Sequence, residues 1–240
     1  RVYLYTEKWS KAIKAADRAI ESAEGLWDYT VLDDEKHYMT SYDNPEVEWL
    51  FMELKIEQIL TPSEELLSQF DDADRRPDFF VKVPFPTGIG KLDVEKGYGP
   101  ATMIRSAEAY LNRAEAKVLA DNPDLEGALS DLNVLRRHRI VRYVDISISD
   151  PNELLQEIRK ERRLELCFEG HRWYDLRRYG MPEISHNFKT LKTDSWKTYL
   201  LKEKDPLYTL PFPASILRNN MKLKQNNSAY EANRNGVVKI

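Results

Sequence analysis

The chain has 240 residues, is 42% hydrophobic, and carries 36 basic against 40 acidic side chains for a net charge of −4. That balance suits one sizeable core or two small ones; the charges interleave and leave no basic stripe for nucleic acid, and no run of about 18 apolar residues spans a bilayer. The single cysteine, Cys167, excludes a disulfide framework and a thiolate metal cage, and is expected to pack as a small buried side chain.

The opening Arg1-Val-Tyr-Leu-Tyr5 has neither the apolar core nor the cleavage site of a signal peptide and reads as the last turn of a helix, so the chain is expected to be a fragment or processed product lacking its first part. After Thr6, Trp9, Ala12, Ile13, Ala16, Ile20 and Ala23 fall on one helical stripe, with Gly25 as the stop. Residues 26–43 read as loop. Asn44-Pro45-Glu46 then leads into Val47, Trp49, Leu50, Phe51, Met52 and Leu54, an apolar run that suits a short buried strand or a helix turn equally. Thr61-Pro62-Ser63-Glu64 offers a threonine cap, a first-turn proline and a capping-box glutamate ahead of Leu66, Leu67 and Phe70.

Residues 77–100 are again irregular. Within them Thr87-Gly88-Ile-Gly90-Lys91-Leu92 lacks the first glycine and the magnesium-binding hydroxyl of a phosphate loop, which removes nucleotide binding. Two helices are expected in 101–139: one carrying Ile104, Ala107, Leu111, Ala114 and Val118, the next capped at Asn122, opened by Pro123 and carrying Leu125, Ala128, Leu129, Leu132 and Leu135. A shift of 116 positions lays Trp9, Ala12, Ile13 and Ala16 on Leu125, Ala128, Leu129 and Leu132. Two tetratricopeptide-like hairpins of one design follow, at about 1–24 and 101–139. Asp150-Pro151-Asn152-Glu153 signs a further helix start before Leu154, Leu155 and Ile158, and 180–215 is rich in Gly, Pro and aromatic residues. The fold class is therefore mainly α, with long irregular loops and a few short strands.

Carboxylates recur at helical spacing. Glu108 and Glu115 are seven apart, and Glu161, Glu165 and Glu169 repeat every four residues. Such rows serve acid/base chemistry, a cation site or an ion-pair network; the matching Arg105, Arg113, Arg136, Arg162 and Arg163, with no histidine at metal spacing, favour a network that registers the helices. Gly170 is expected to end its helix in a left-handed conformation, with Trp173 and Leu176 packing back on the core. His37, His138, His171 and His186 are scattered, with no HExxH, and no GxSxG marks a serine nucleophile. No catalytic residue, metal or cofactor is assigned. The remaining candidates for contact with a ligand are rings in irregular segments: Trp27, Tyr29, Tyr38, Tyr42, Tyr98, Trp196 and Tyr199, whose flat faces stack on sugars or peptide side chains.

The stretch Glu161-Arg162-Arg163-Leu-Glu165-Leu-Cys-Phe-Glu169-Gly170-His-Arg172-Trp-Tyr-Asp175-Leu-Arg177-Arg-Tyr-Gly180 resembles the ER..EL.FEG.R..DL.R.G signature of SusD/RagB-like proteins. The segment from Ile104 to Ala116 is similar to that family's R.AE.YL.RAEA helix, and Ala128 to Arg136 to its A...LN..R segment. Pro62 to Leu66 with Asp74 and Arg75, and Leu210-Pro-Phe-Pro213 with Asn220, Gln225 and Asn226, complete a set that runs in family order from residue 1 to about 230, so that 1–240 is similar to the family's C-terminal region as a single unit, with the signature helix and turn at about 152–180.

The resemblance implies a SusD-like helical fold in an outer-membrane lipoprotein that faces outward, binds oligosaccharides (or peptides in some members), and passes them to a SusC-like TonB-dependent transporter without catalysis. A repeat-type protein–protein scaffold is the alternative. Two departures stand against the family pattern. Cys167 lies inside the signature helix and cannot carry the lipid, so any membrane association is expected through an anchor outside this chain. Only Lys55 to Thr61 separate two stretches between which the family carries a longer, often ligand-contacting insertion.

Overall fold

The computed structural model describes residues 1–32, 44–51, 62–84, 87–90, 102–188, 195–230 and 237–238. Its chain divides into two units, Arg1–His171 and Arg172–Ile240, within the span expected as a single region.

In the first unit, α1 (Val2–Tyr5) and α2 (Trp9–Ser22) are followed by β1 (Val47–Phe51), α3 (Glu64–Leu67), a 3-10 turn at Arg76–Phe79, and β2 (Val81–Pro84) paired antiparallel with β3 (Thr87–Gly90). Next come β4 (Thr102–Arg105), antiparallel to β1, then α4 (Ser106–Leu119), α5 (Leu125–Arg137) and α6 (Pro151–Glu165). Helices α2 and α5 begin at Trp9 and Leu125, which is the 116-residue offset of their apolar stripes.

Helix α4 is central: α2, α5 and α6 all pack on it. Its small residues Ala107, Ala109, Ala114 and Ala116 are buried, which lets three neighbours approach at once. Ala114 and Val118 meet Ala128, Leu132, Leu154 and Ile158 in one cluster, while Ala116 meets Leu4 and Ala12 in another. A third, aromatic cluster gathers Tyr29, Phe79, Phe80 and Cys167, whose thiol is buried and donates to the Leu164 carbonyl at 3.2 Å. Among the described residues no helix is long and apolar enough to cross a membrane.

Several local expectations are corrected. Residues 102–105 are strand, so Ile104 lies outside α4 and is 47% exposed. The ambiguous run after Asn44 is strand β1 as far as Phe51, with Met52 and Leu54 outside the described residues, and its Trp49 is 50% exposed instead of buried. Ser63, not Thr61, caps α3 by accepting from Leu66 N–H. Asp124, not Asn122, caps α5 by accepting from Gly127 N–H at 2.9 Å, which leaves Pro123 outside the helix. Asp150 caps α6 as its sequence signs, accepting from Glu153 N–H at 2.8 Å with Pro151 in the first turn.

The second unit holds α7 (Arg172–Arg178), β5 (Ile184–Phe188), β6 (Lys197–Leu201), a 3-10 turn at Pro206–Tyr208, α8 (Ala214–Asn219), a 3-10 turn at Asn227–Tyr230 and β7 (Val237–Val238). The three strands form an antiparallel sheet in the order β5-β6-β7. Trp173 stacks on Tyr208 at 5.1 Å between centroids, and the Tyr208 hydroxyl donates to the Pro182 carbonyl at 2.5 Å. Gln225 clasps the backbone of Phe212 with both ends of its amide, at 2.8 and 2.9 Å, and Asn226 donates to the Leu210 carbonyl at 2.7 Å.

Candidate functional site

The last turns of α6 and the residues after it carry Glu161, Glu165 and Glu169 into the interior of the first unit, where they meet four arginines from three separate stretches. Arg76 donates to Glu161 at 2.6 Å, to Glu165 at 2.9 Å and to its neighbour Asp74 at 2.6 Å. Arg105 reaches Glu165 at 2.5 Å, Glu169 at 2.9 Å and Glu46 at 2.9 Å. Arg139 joins Glu46 at 2.6 Å and Glu165 at 3.0 Å, and Arg136 joins Glu161 at 2.6 Å. The side chains of Arg76, Arg105, Arg139, Glu46 and Glu165 are within 1% of complete burial.

Burial alone would raise the Glu165 carboxyl, but the guanidinium groups of Arg139, Arg105 and Arg76 overcome it and hold the group well below the usual carboxylate range. Glu161 is likewise lowered against burial, by Arg76 and Arg136. A carboxylate kept ionised with guanidinium donors on both oxygens is poorly placed to give or take a proton. It is well placed to fix the register of the elements that bring those arginines.

The other motif residues form smaller groups. Glu108 accepts from Arg1 at 2.8 and 2.6 Å and lies 3.7 Å from Arg162, which donates to Asn112 at 2.8 Å. Burial opposes the charge of Glu108, yet the hydrogen bond from Arg1 and the charge of Arg162 bring it down to about 2. His171, beside the same groups, is lowered to about 4, chiefly by burial. Glu115 accepts from Arg159 at 3.1 Å. Arg113 and Arg163 lie outside the buried row: Arg113 joins Asp131 at 2.6 Å and Asp17 at 2.8 Å, and Arg163 joins the exposed Glu65.

Gly170 has φ +78°, the left-handed conformation, although α6 has already ended at Glu165 and Phe168 also has φ +65°. In the second unit Asp175 is buried and accepts from Arg178 at 2.9 Å, while Arg172 and Arg177 are exposed.

Sequence reasoning named neither Glu46, Asp74, Arg76 nor Arg139 as network members. Glu46 is a hub of the region: its carboxylate also accepts from Trp27 N–H at 2.9 Å, and its carbonyl accepts from Ser106 N–H at 2.9 Å where α4 starts.

The candidate rings separate by environment. Tyr29 is 1% exposed, with the Arg139 guanidinium 4.2 Å from its centroid and Phe79 at 5.0 Å, so it presents no face to solvent. Trp27 is half-buried against Tyr29, edge to face at 6.1 Å. Tyr38, Tyr42 and Tyr98 lie outside the described residues. Trp196 and Tyr199 are 50% and 37% exposed, and beside them stands Phe188, which sequence reasoning missed, 56% exposed and edge-on to Tyr199 at 6.3 Å. The alternation of Ile184, His186 and Phe188 was the signal that could have found it.

The first unit also holds a groove of about 400 Å³ along α2 and α4, lined by Ala12, Ala15, Ala16 and Ala19 and also by Arg1 and Glu108. Among the described residues no cluster of His, Cys, Asp or Glu is arranged to hold a metal ion.

The model of the SusD family matches residues 90–230. A SusD-like protein from Bacteroides fragilis superposes with a TM-score of 0.64 at 22% identity, over 95% of this chain and 63% of that one. A SusD superfamily protein from Parabacteroides distasonis gives 0.61 at 18%, over 91% and 57%. A SusD-like carbohydrate binding protein from Bacteroides vulgatus gives 0.56 at 22%, over 85% and 49%. At these identities the likeness is one of fold, the helical, tetratricopeptide-like architecture with few short strands that the hairpin spacing implies. The chain spans less than two thirds of the length of each of these structures. No curated protein sequence matches it.

Proposed function

The chain belongs to the SusD family, and from that premise we propose that it is part of a surface glycan-binding protein that captures oligosaccharides and delivers them to a SusC-like TonB-dependent transporter in the outer membrane. The match over residues 90–230, which takes in α4 to α8, carries this reading. The chemistry of the signature agrees with it. Its acids are occupied in ion pairs inside the fold, so capture is reversible binding and any hydrolysis belongs to separate enzymes. Co-purification of the full-length protein from its native membrane tests the delivery step: a TonB-dependent transporter recovered with it supports the reading, and its consistent absence under mild detergent counts against it.

A second reading, a repeat-type scaffold whose partners are proteins, draws on the alanine-lined groove along α2 and α4. Specific sugar binding that survives filling this groove with Ala15→Leu would count against the scaffold.

A further inference from the structure

The β5–β6 ribbon of the second unit has an exposed face that neither the signature nor the buried network uses. Register sets Ile184 opposite Leu201, His186 opposite Tyr199, and Phe188 opposite Lys197, so these six side chains share one face. Ile184 and Leu201 are half-buried at one end, and the other four are exposed.

Phe188 and Tyr199 meet diagonally, edge to face with their planes 68° apart, and are 56% and 37% exposed. On the opposite side of the ribbon the Thr198 hydroxyl donates to the Asn187 side-chain oxygen at 2.9 Å and pins the two strands beneath the rings. None of the six residues is acidic, and Lys197 makes no ion pair among the described residues, in a protein whose net charge is −4.

Two exposed rings on a pinned ribbon, next to an imidazole and to an ammonium group with no ion pair among the described residues, are complementary to a ligand with flat apolar faces, hydroxyls and negative charge. The geometry points to this face as a subsite for an acidic, uronate-bearing oligosaccharide: sugar rings stack on Phe188 and Tyr199, a carboxylate pairs with Lys197, and His186 takes a hydroxyl hydrogen bond. The inference rests on the glycan-binding reading above and narrows its ligand to an acidic sugar.

Calorimetric titration of the intact protein with a galacturonate trisaccharide and with its methyl-esterified form tests it. The free acid should bind more tightly. Lys197→Ala should remove that preference, roughly threefold at low salt and less at high salt, as expected for an exposed ion pair. Phe188→Ala and Tyr199→Ala should each weaken both forms by up to about tenfold. Unchanged melting temperatures for the three variants, whose side chains are exposed, separate lost contacts from lost folding.

Equal affinity for the two forms together with no effect of Lys197→Ala overturns the acidic assignment. Binding that ignores both ring variants overturns the subsite. If another sugar binds and galacturonate does not, the subsite falls while glycan binding stands; if no sugar binds, both fall.

Discussion

Glu165 and Arg105 are joined twice: the Arg105 guanidinium donates to the Glu165 carboxylate at 2.5 Å and to the Glu165 backbone carbonyl at 2.7 Å. Residues sixty positions apart are thereby locked where strand β4 runs into helix α4 and helix α6 ends. The signature stretch therefore acts largely as an internal clamp.

Breaking this clamp should be expensive. Glu165→Gln removes the one buried counter-charge that Arg76, Arg105 and Arg139 share, and loss of one partner of such a group costs about 3–5 kcal/mol. Urea unfolding should show a lower midpoint with little change in slope. Glu65→Ala, which breaks the exposed pair with Arg163 and a hydrogen bond from Gln69, should cost no more than about 1 kcal/mol. Equal costs for the two variants would mean that the buried row adds nothing beyond a surface pair.

Acid should destabilise the first unit in two stages. His171 has its value lowered from 6.5 to about 4 by burial, with Arg162 and Arg1 opposing the charged form and Glu108 and Glu169 favouring it. The unfolded chain then binds more protons between those values, so stability falls as pH drops from 6.5 toward 4. Glu108, lowered from 4.5 to about 2, contributes stability that is complete above 4.5 and is lost as pH falls toward 2; Glu161 and Glu165 act in the same direction. Thermal melts from pH 7 to 3 should show both slopes, and His171→Asn should flatten the upper one. A wild-type melting temperature that stays level from pH 6.5 to 4.5 would contradict this.

Helix capping gives a finer test. Asp124→Ala and Asp150→Ala should each cost about 1 kcal/mol, since each removes an acceptor from a first-turn N–H. Asn122→Ala should be near neutral. Gly127→Ala, usually favourable in a helix, should instead destabilise, because its Cβ would lie 2.1 Å from Asp124 Oδ2 and displace the cap. A cost at Asn122 equal to that at Asp124 would restore the cap that the sequence suggests.

What the sequence revealed and what it withheld divide along physical lines. Periodicity is local, so the α2 and α5 stripes, their 116-residue offset and the Asp150 cap could all be read directly. The row of Glu161, Glu165 and Glu169 was also visible, because residues four apart share a helix face. Their partners were not: Arg76 lies 85 residues from Glu161, and Arg139 lies 93 from Glu46. Nothing in spacing links such pairs before the chain is folded. Ile104 was read as helix because it continues the apolar stripe of α4; pairing with Trp49 across β1 and β4 takes that position into a strand. The Asp124 cap was missed because Asn122-Pro123 carries the stronger local signal, whereas the Asp124 N–H is held by the Lys117 carbonyl at 3.1 Å from the preceding helix. Among the candidate rings, composition marked Tyr29 and Tyr199 alike, and only tertiary packing distinguishes a ring beneath Arg139 from one on an open sheet.

The most direct test of glycan capture is a calorimetric titration of the full-length protein with an oligosaccharide panel, followed by chromatography of the recovered sugar. Saturable binding with the sugar recovered intact is the predicted result. Absence of saturable binding across neutral and acidic sugars, or recovery of shortened products, would contradict the account.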